Sequence, residues 1–489
     1  MKLDTLIRQL PRRSAPLPCV DGGVEVTGVT HDSRAVRPGF VFVAIRGQRD
    51  DGHAHAPAAA AKGAVAIIAE SPIPLPTPVP VIQVANARRA LAAIAATFHG
   101  HPSRKLQVTG VTGTNGKTTT CHLIRSIYNA SGRKAGILGT IACDTGVRRL
   151  PAGMTTPEST DIQALFAEMV ANAVPAAVME VSSHALVQRR VDFIHFHTAV
   201  FTQLTRDHLD FHKTMENYRN AKAILFESLG PASTAVLNAD DSYSSYFAEH
   251  TCAHTLWYGL QRPADVRARV LDAGLNGIHF ELITPAGSAQ VRSPLAGLHN
   301  VANCLAAAAA GLAASIPLDL IVQGLNNAPV VDGRLHPVEC GQPFTVLVDY
   351  AHTHDALRTV LKAVRRHVKG RVLLVFGAGG DRDKLKRPLM GKVAARMADA
   401  AWVTSDNPRS EDPLDIISQI LRGAGESHKI HTQPDREQAI REAISAARPG
   451  DLVLIAGKGH ETVQIFSDHT VPFDDREVAR RCLGDLKSN

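Results

Sequence analysis

Gly113-Thr114-Asn115-Gly116-Lys117-Thr118-Thr119 is built from residue types that suit the holding of a polyphosphate. Glycines let backbone N–H groups curl around phosphate oxygens, and a helix starting at Lys117 adds the positive end of its dipole. Lys117 is expected to reach the β- and γ-phosphates, and the Thr118 hydroxyl to sit on Mg2+. The usual spacing wants a glycine five residues before Gly116, where Val111 stands; the glycines here are Gly110 and Gly113. A chance glycine-rich turn is the competing reading. Glu180 closes the apolar run 176–181, which suits a magnesium ligand, direct or through water, and equally a cap for the next helix. His208 taken alone reads as a surface-loop histidine. Lys222 falls inside an apolar helical stripe of Met215, Tyr218, Leu225 and Leu229. Taken alone, that lysine is explained by snorkelling at the stripe's margin.

These residues need a scaffold, and the pattern supplies one. The alternating run 106–111 reads as a strand ending at the glycine loop, and 121–128 as a helix stopped by Ser131-Gly132. Further strands are expected at 176–181, 198–201 and 234–237 with helices between several of them. That is a doubly wound, mainly parallel sheet, whose ligands sit at the carboxyl ends of strands. Before it, 24–30, 40–45, 64–68 and 81–84 read as strands, with helices in the Ala-rich stretch after Gly52 and over 87–98. After it, strands at 345–348, 372–375, 401–404 and 452–455 alternate with helices in another α/β unit. Gly377-Ala378-Gly379-Gly380 follows one of these strands, but Arg382 replaces the third glycine of a dinucleotide fingerprint, so a nicotinamide role is discounted.

A chain of 489 residues exceeds one hydrophobic core, and domains over 1–102, 103–335 and 336–489 are expected. The formal charge of +7 points to anionic partners. Lys and Arg are scattered without aromatic interleaving, so small polyanions such as nucleotides are favoured over nucleic acid. No apolar stretch reaches a membrane span and no signal core opens the chain, so a cytoplasmic location is expected. Seven cysteines without a C-x-x-C pair read as reduced thiols.

The wording Gly-Thr-Asn-Gly-Lys-Thr-Thr resembles the loop of the Mur ligase superfamily, ATP-dependent amide-bond formers of cell-wall and folate metabolism. Other motifs fall in that family's order. Asp32-Ser33-Arg34, a common turn tripeptide by itself, resembles the family's uridine-diphosphate-binding unit and implies that Ser33, with Gln48, Arg49 and Asp50, lies near the UDP moiety. The resemblance implies contacts to the sugar-peptide substrate from Thr155, Thr156, Ser182, Gln188 and Arg190. It makes Glu180 and His208 magnesium-site residues, and Asn300 and Arg334 contacts to ATP alongside residues 113–119. It also matches Lys222 to a lysine that the family carbamylates, a buried amine capturing CO2 to give an anion that ligates a second magnesium. Asp349-Tyr350-Ala351-His352-Thr353 resembles a hinge-side motif facing the ATP site; most relatives continue with proline where this chain has His354, leaving the turn there open.

Asp406-Asn407-Pro408-Arg409 is an ordinary turn signature by itself. In the family it marks members that add meso-diaminopimelate, whose far carboxylate a guanidinium can clamp bidentately. Arg382, Gly457 and Glu461 would complete that pocket. The resemblance therefore implies an ATP-dependent ligase of peptidoglycan precursor synthesis. It would join meso-diaminopimelate to the D-Glu γ-carboxylate of UDP-N-acetylmuramoyl-L-alanyl-D-glutamate through an acyl phosphate, with Lys117, Lys222 and His208 at the chemistry. A monomer acting on small molecules is expected. The alternatives are a folylpolyglutamate-type ligase, which shares the loop, and a P-loop ATPase that changes shape without forming a bond.

Overall fold

A computed structural model describes residues 1–11, 14, 21, 23–47 and 50–488. Their strands form three sheets and one short hairpin. The first sheet is 4-stranded and parallel, in the order Gly28–Thr30, Phe40–Val43, Ala66–Ala69, Val81–Gln83. The strand expected over 24–30 is confined to Gly28–Thr30. Residues upstream bond to the N-terminus instead, Leu3 N donating to Val24 O and Val26 N to Met1 O. The helix Ala87–Phe98 starts on the side chain of Asn86, which accepts from Arg89 N, and its Ala-rich face is buried.

The second sheet has eleven strands. Gln107–Thr112 lies at its centre, flanked in parallel by Thr198–Phe201 and Ala176–Glu180. Next to these come Thr234–Asn238 and Ala135–Leu138, again parallel. Helices Lys117–Ala130, Leu298–Ala313 and Leu318–Asn326 bury one face. Ser159–Ala171 and Met215–Glu227 bury the other, so the sheet is doubly wound. Antiparallel strands extend both ends, among them Val266–Ala273, Ile278–Thr284 and Gly287–Ser293. Sequence patterning missed these three strands. Both faces of Val266–Ala273 are largely exposed, so its side chains carry little apolar alternation, whereas Ile278–Thr284 does alternate.

The third sheet is 6-stranded, with Leu452–Ala456 between Thr345–Asp349 and Val372–Phe376. Apolar clusters cover both of its faces. The helix His354–Arg365 settles the question raised by the missing proline. Thr353 caps it by accepting from Ala356 N, and His354 occupies the first helical position without disturbing the start. No helix among the described residues is long and apolar enough to cross a membrane. The described cysteines are free thiols, as expected.

Candidate active site

The glycine loop leaves the central strand and enters the helix Lys117–Ala130, and its geometry explains its unusual spacing. Gly110 belongs to the strand, paired with Ala199 and Met179, and its missing Cβ makes room for the Phe196 ring 2.7 Å away. It is a packing glycine. The loop proper runs from Gly113 to Gly116, both at positive φ (147° and 87°), and a Cβ on Gly113 would collide with the Thr202 hydroxyl. Thr114 N donates to Gln203 O at 2.7 Å, and the Thr202 hydroxyl donates to Asn115 O at 2.6 Å. The loop is therefore strapped to the end of the neighbouring strand.

Cations converge on it. Lys117 Nζ donates to the loop carbonyls of Gly113 and Thr114, at 3.0 and 2.9 Å. Lys222 Nζ donates to the same Gly113 O at 3.0 Å. Arg334 reaches the Thr118 hydroxyl at 3.2 Å and lies over the Tyr350 ring. Thr119 is buried beneath the loop. Asn300, expected on the adenine side, is buried with its amide bonded to Ala296 O and Asn303. Asn303, which sequence reasoning did not single out, sits behind Gly116, 2.6 Å from where a Cβ would be. It had no motif to betray it beyond lying one helical turn after Asn300.

Glu180 stands in register with Val111, so its strand delivers a carboxylate to the loop's edge. It is 1 % exposed and accepts from Thr140 N at 2.8 Å and Thr140 Oγ1 at 3.0 Å. Lys222 is also 1 % exposed, 4.5 Å from the Tyr218 ring centroid, and it lies in the apolar stripe as expected. Burial pushes its amine well below the ordinary lysine value, with Lys117's charge adding to the fall and Asp207 opposing it. His208 sits at φ 55°, its Nε2 3.3 Å from Asp207 and its ring edge-on to His184. Burial lowers it to about 3 despite the pull of Asp207, so the imidazole is neutral at pH 7. Asp207 itself is buried. Lys386, with His208 and His352 once these are protonated in acid, outweighs its burial and holds the carboxyl below the usual range.

One cleft of about 910 Å³ joins the central and third units. Thr155, Thr156, Ser182, Gln188, Arg190 and His208 line one wall; Arg382, Asn407, Arg409 and Glu461 line the other. On the first wall Thr156 Oγ1 donates to Glu180 O and accepts from Ser182 N, tying this wall to the Glu180 strand. Arg190 donates to Thr156 O and pairs with Glu158 at 2.9 Å. On the second wall Arg409, at φ 54°, donates through Nη1 to Gly380 O at 2.7 Å. Burial and the neighbouring Arg382 both lower its guanidinium, the mark of two cations sharing one pocket. Asp406, Pro408 and Gly457 stand behind this wall. A Cβ on Gly457 would meet Asp406 Oδ2 at 2.6 Å, and one on Gly380 would strike Pro408 O.

Ser33 and Asp50 lie in loops that follow the first two strands of the first sheet, outside this cleft. Ser33 O accepts from Lys62 and Asp50 pairs with His55. Gln48 and Arg49 fall outside the described residues. Lys386, 4 % exposed and aimed at Asp207, was invisible in sequence, because nothing local to Lys384-Leu385-Lys386-Arg387 marks one of its cations as buried.

Three family models match in chain order: "Mur ligase family, catalytic domain" over 25–99, "Mur ligase middle domain" over 111–311, and "Mur ligase, glutamate ligase domain" over 333–459. The chain is similar to the UDP-N-acetylmuramoyl-L-alanyl-D-glutamate--2,6-diaminopimelate ligase of Bacillus velezensis, 48 % identical over 94 % of this chain and 95 % of the relative. It is 48 % identical to that of Geobacillus thermodenitrificans over 99 % of each. The chain belongs to the Mur ligase family. Solved Mur ligases share its three-sheet layout. A UDP-N-acetylmuramoyl-L-alanyl-D-glutamate--2,6-diaminopimelate ligase structure matches over 100 % of both chains at 32 % identity and TM-score 0.67. The MurF ligase of Thermotoga maritima, solved in complex with ADP, matches over 95 % of this chain and 97 % of its own at 21 % identity and TM-score 0.64, a likeness of fold. As a Mur ligase, the chain is an ATP-dependent ligase, and the reading of it as a shape-changing ATPase falls away.

Proposed function

We infer that this Mur ligase joins meso-2,6-diaminopimelate to the D-Glu γ-carboxylate of UDP-N-acetylmuramoyl-L-alanyl-D-glutamate, using ATP, in peptidoglycan precursor synthesis. The observation that carries the reading is the second wall of the cleft. Arg382, Arg409, Asn407 and Glu461 face the loop-side residues across one continuous space. Two guanidiniums and one carboxylate suit a substrate that carries a carboxylate and an amino group at each end. Near full-length relatives bearing that ligase's name support it.

In this reading residues 113–119 hold the ATP phosphates, Lys117 follows the transferring phosphoryl group, and Arg334 clamps it from the third unit's side. Ser33, Asp50, Gln48 and Arg49 take the uridine end, and Thr155, Thr156, Ser182, Gln188 and Arg190 the sugar-peptide. Asn300 keeps the adenine side in shape through Asn303. The γ-carboxylate of D-Glu attacks the γ-phosphorus and ADP leaves. The amine then attacks the acyl phosphate, and the tetrahedral adduct expels phosphate.

A divalent cation fits here on the chemistry of the donors. Glu180 is a buried carboxylate with no cation in salt-bridge reach among the described residues, and His208 is a neutral imidazole. Among the described residues no three His, Cys, Asp or Glu groups form a metal cluster by themselves. Thr118, Glu180, His208 and a carbamate on Lys222 would therefore hold Mg2+ together with phosphate oxygens. The ion would supply charge neutralisation on the phosphoryl group. Lys222 is suited to the modification because its buried amine gives up its proton readily and can add to CO2. We place the enzyme in the cytoplasm as a monomer, where its nucleotide substrates are made.

The test is phosphate release with ATP and the UDP-muramoyl dipeptide, with diaminopimelate or lysine in separate reactions. Release that needs both the dipeptide and diaminopimelate is expected. Release with lysine alone would overturn the specificity.

A further inference from the structure

Gly457-Lys458-Gly459 follows the middle strand of the third sheet, and a lysine between glycines at a strand end invites a phosphate-binding role. The geometry closes that option. Gly457 and Gly459 take φ 118° and 57°, which turns the lysine inward, where it is fully buried. An ammonium has three N–H donors, and each has an acceptor: Asn407 Oδ1 at 3.0 Å, Glu461 Oε2 at 3.3 Å and Val463 O at 2.6 Å. None remains for a ligand.

Those acceptors belong to one pocket. Glu461 Oε2 also accepts from Asn407 Nδ2 at 2.7 Å, so the same oxygen is fixed twice on a residue that lines the cleft. Asn407 Oδ1 accepts in addition from Ile465 N at 3.0 Å, and Ile465 O accepts from Arg409 N at 3.0 Å. The strand Val463–Ile465, half of a hairpin with Thr470–Pro472, is thus bonded to Lys458, Asn407 and Arg409 in turn.

We propose that Lys458 is a positioning residue of the amino-acid pocket, whose ammonium fixes the Glu461 carboxylate, the Asn407 amide and the hairpin that carries Arg409's backbone. The inference rests on the proposed function for the identity of the amino acid. Its electrostatic side is consistent. Asp406 and Glu461 press on one another, burial and Asp406 raising the Glu461 carboxyl while Lys458 opposes the rise. Arg436, the other buried cation nearby, is already held bidentately by Asp475 at 2.8 Å.

The experiment compares Lys458→Met, of similar length without charge, with Lys458→Gln, which keeps shorter amide donors. KM for diaminopimelate should rise at least about tenfold in the first and less in the second, while KM for ATP and for the UDP-dipeptide stays within about twofold. Because Lys458 acts through Glu461, adding Glu461→Gln to Lys458→Met should raise KM much less than Glu461→Gln does in the parent. Melting temperature and ADP binding report the fold. An equal rise in all three KM values, independent effects in the double variant, or failure of both single variants to fold would make Lys458 a scaffold residue and overturn the proposal. Should the parent accept lysine and not diaminopimelate, the proposed specificity fails. The variants are then assayed with the accepted amino acid, and the KM split reads the inference alone.

Discussion

Lys222 shows how much one side chain's surroundings decide. A lysine on an apolar stripe snorkels if its stem can reach water, but this one ends 3.0 Å from a carbonyl of the phosphate loop and is 1 % exposed. Its amine is easily neutralised, and a neutral amine is the form that captures CO2. Lys222→Arg keeps positive charge and length but cannot form a carbamate, so turnover should fall by at least about a hundredfold with an unchanged fold. Parent-like turnover would return Lys222 to a loop-bracing cation. Lys222→Ala should be equally inactive, and partly rescued by a small carboxylic acid in solution. Across the cleft, Arg409→Ala should raise KM for diaminopimelate about tenfold to a hundredfold, since a charge-assisted contact contributes about 1.5–3 kcal/mol. ATP affinity should not move, and titrating both substrates against the variant separates the two effects.

At the scale of elements, the phosphate loop is only as well placed as the helix behind it. Helix Leu318–Asn326 packs on Lys117–Ala130 through Gly324, where a Cβ would stand 2.5 Å from Ile127 Cα, and Ser126 Oγ donates to Gly324 O at 2.7 Å. Backbone cannot yield as a flexible side chain can. Gly324→Ala should cost about 1–3 kcal/mol, seen as a lower melting temperature, and raise KM for ATP by tilting the helix that begins at Lys117. An unshifted melting curve would mean the two helices separate freely. Gly324 was not legible in sequence, because a glycine within a helix names no partner. The strands and helices that carry the loop, Glu180 and Lys222 were legible, since each is a buried run whose period is visible without its neighbours. In the antiparallel extension over 266–293, exposure erases the alternation of Val266–Ala273 and most of Gly287–Ser293, whereas Ile278–Thr284 keeps it and was legible there. Motifs located the walls of the cleft, but not what stiffens them. Thr140, Asn303 (through Thr120) and Lys386 act through contacts far along the chain, which periodicity does not encode.

For the whole molecule, a buried ionic cluster joins the third unit to the central one, beside the apolar packing of Ala296 and Leu275 against the third unit's core. Asp207 stands on the central unit beside His208, and Lys386 and His352 reach it from the third, each 3.9 Å away. Arg206 and Asp383 form a second link at 3.7 Å with the charges reversed in direction. Asp207 and Lys386 are each 5 % exposed, so water screens them little. Breaking such a pair by removing one partner typically costs about 3–5 kcal/mol, because the other charge is left buried. Parting of the two units would relieve that cost by letting Asp207 meet water. Lys386→Met should therefore open the cleft. Turnover should fall at least about tenfold, ATP affinity should change little, and solution scattering with substrates bound should give a larger radius of gyration than the parent. Asp207→Asn added to that variant should bring the radius back toward the parent's, since the orphaned charge is gone. Turnover would stay low because the same change disturbs His208, so scattering is the deciding measurement. If Lys386→Met leaves the radius unchanged, the units are held by their packing, and the Asp207 cluster serves His208 alone.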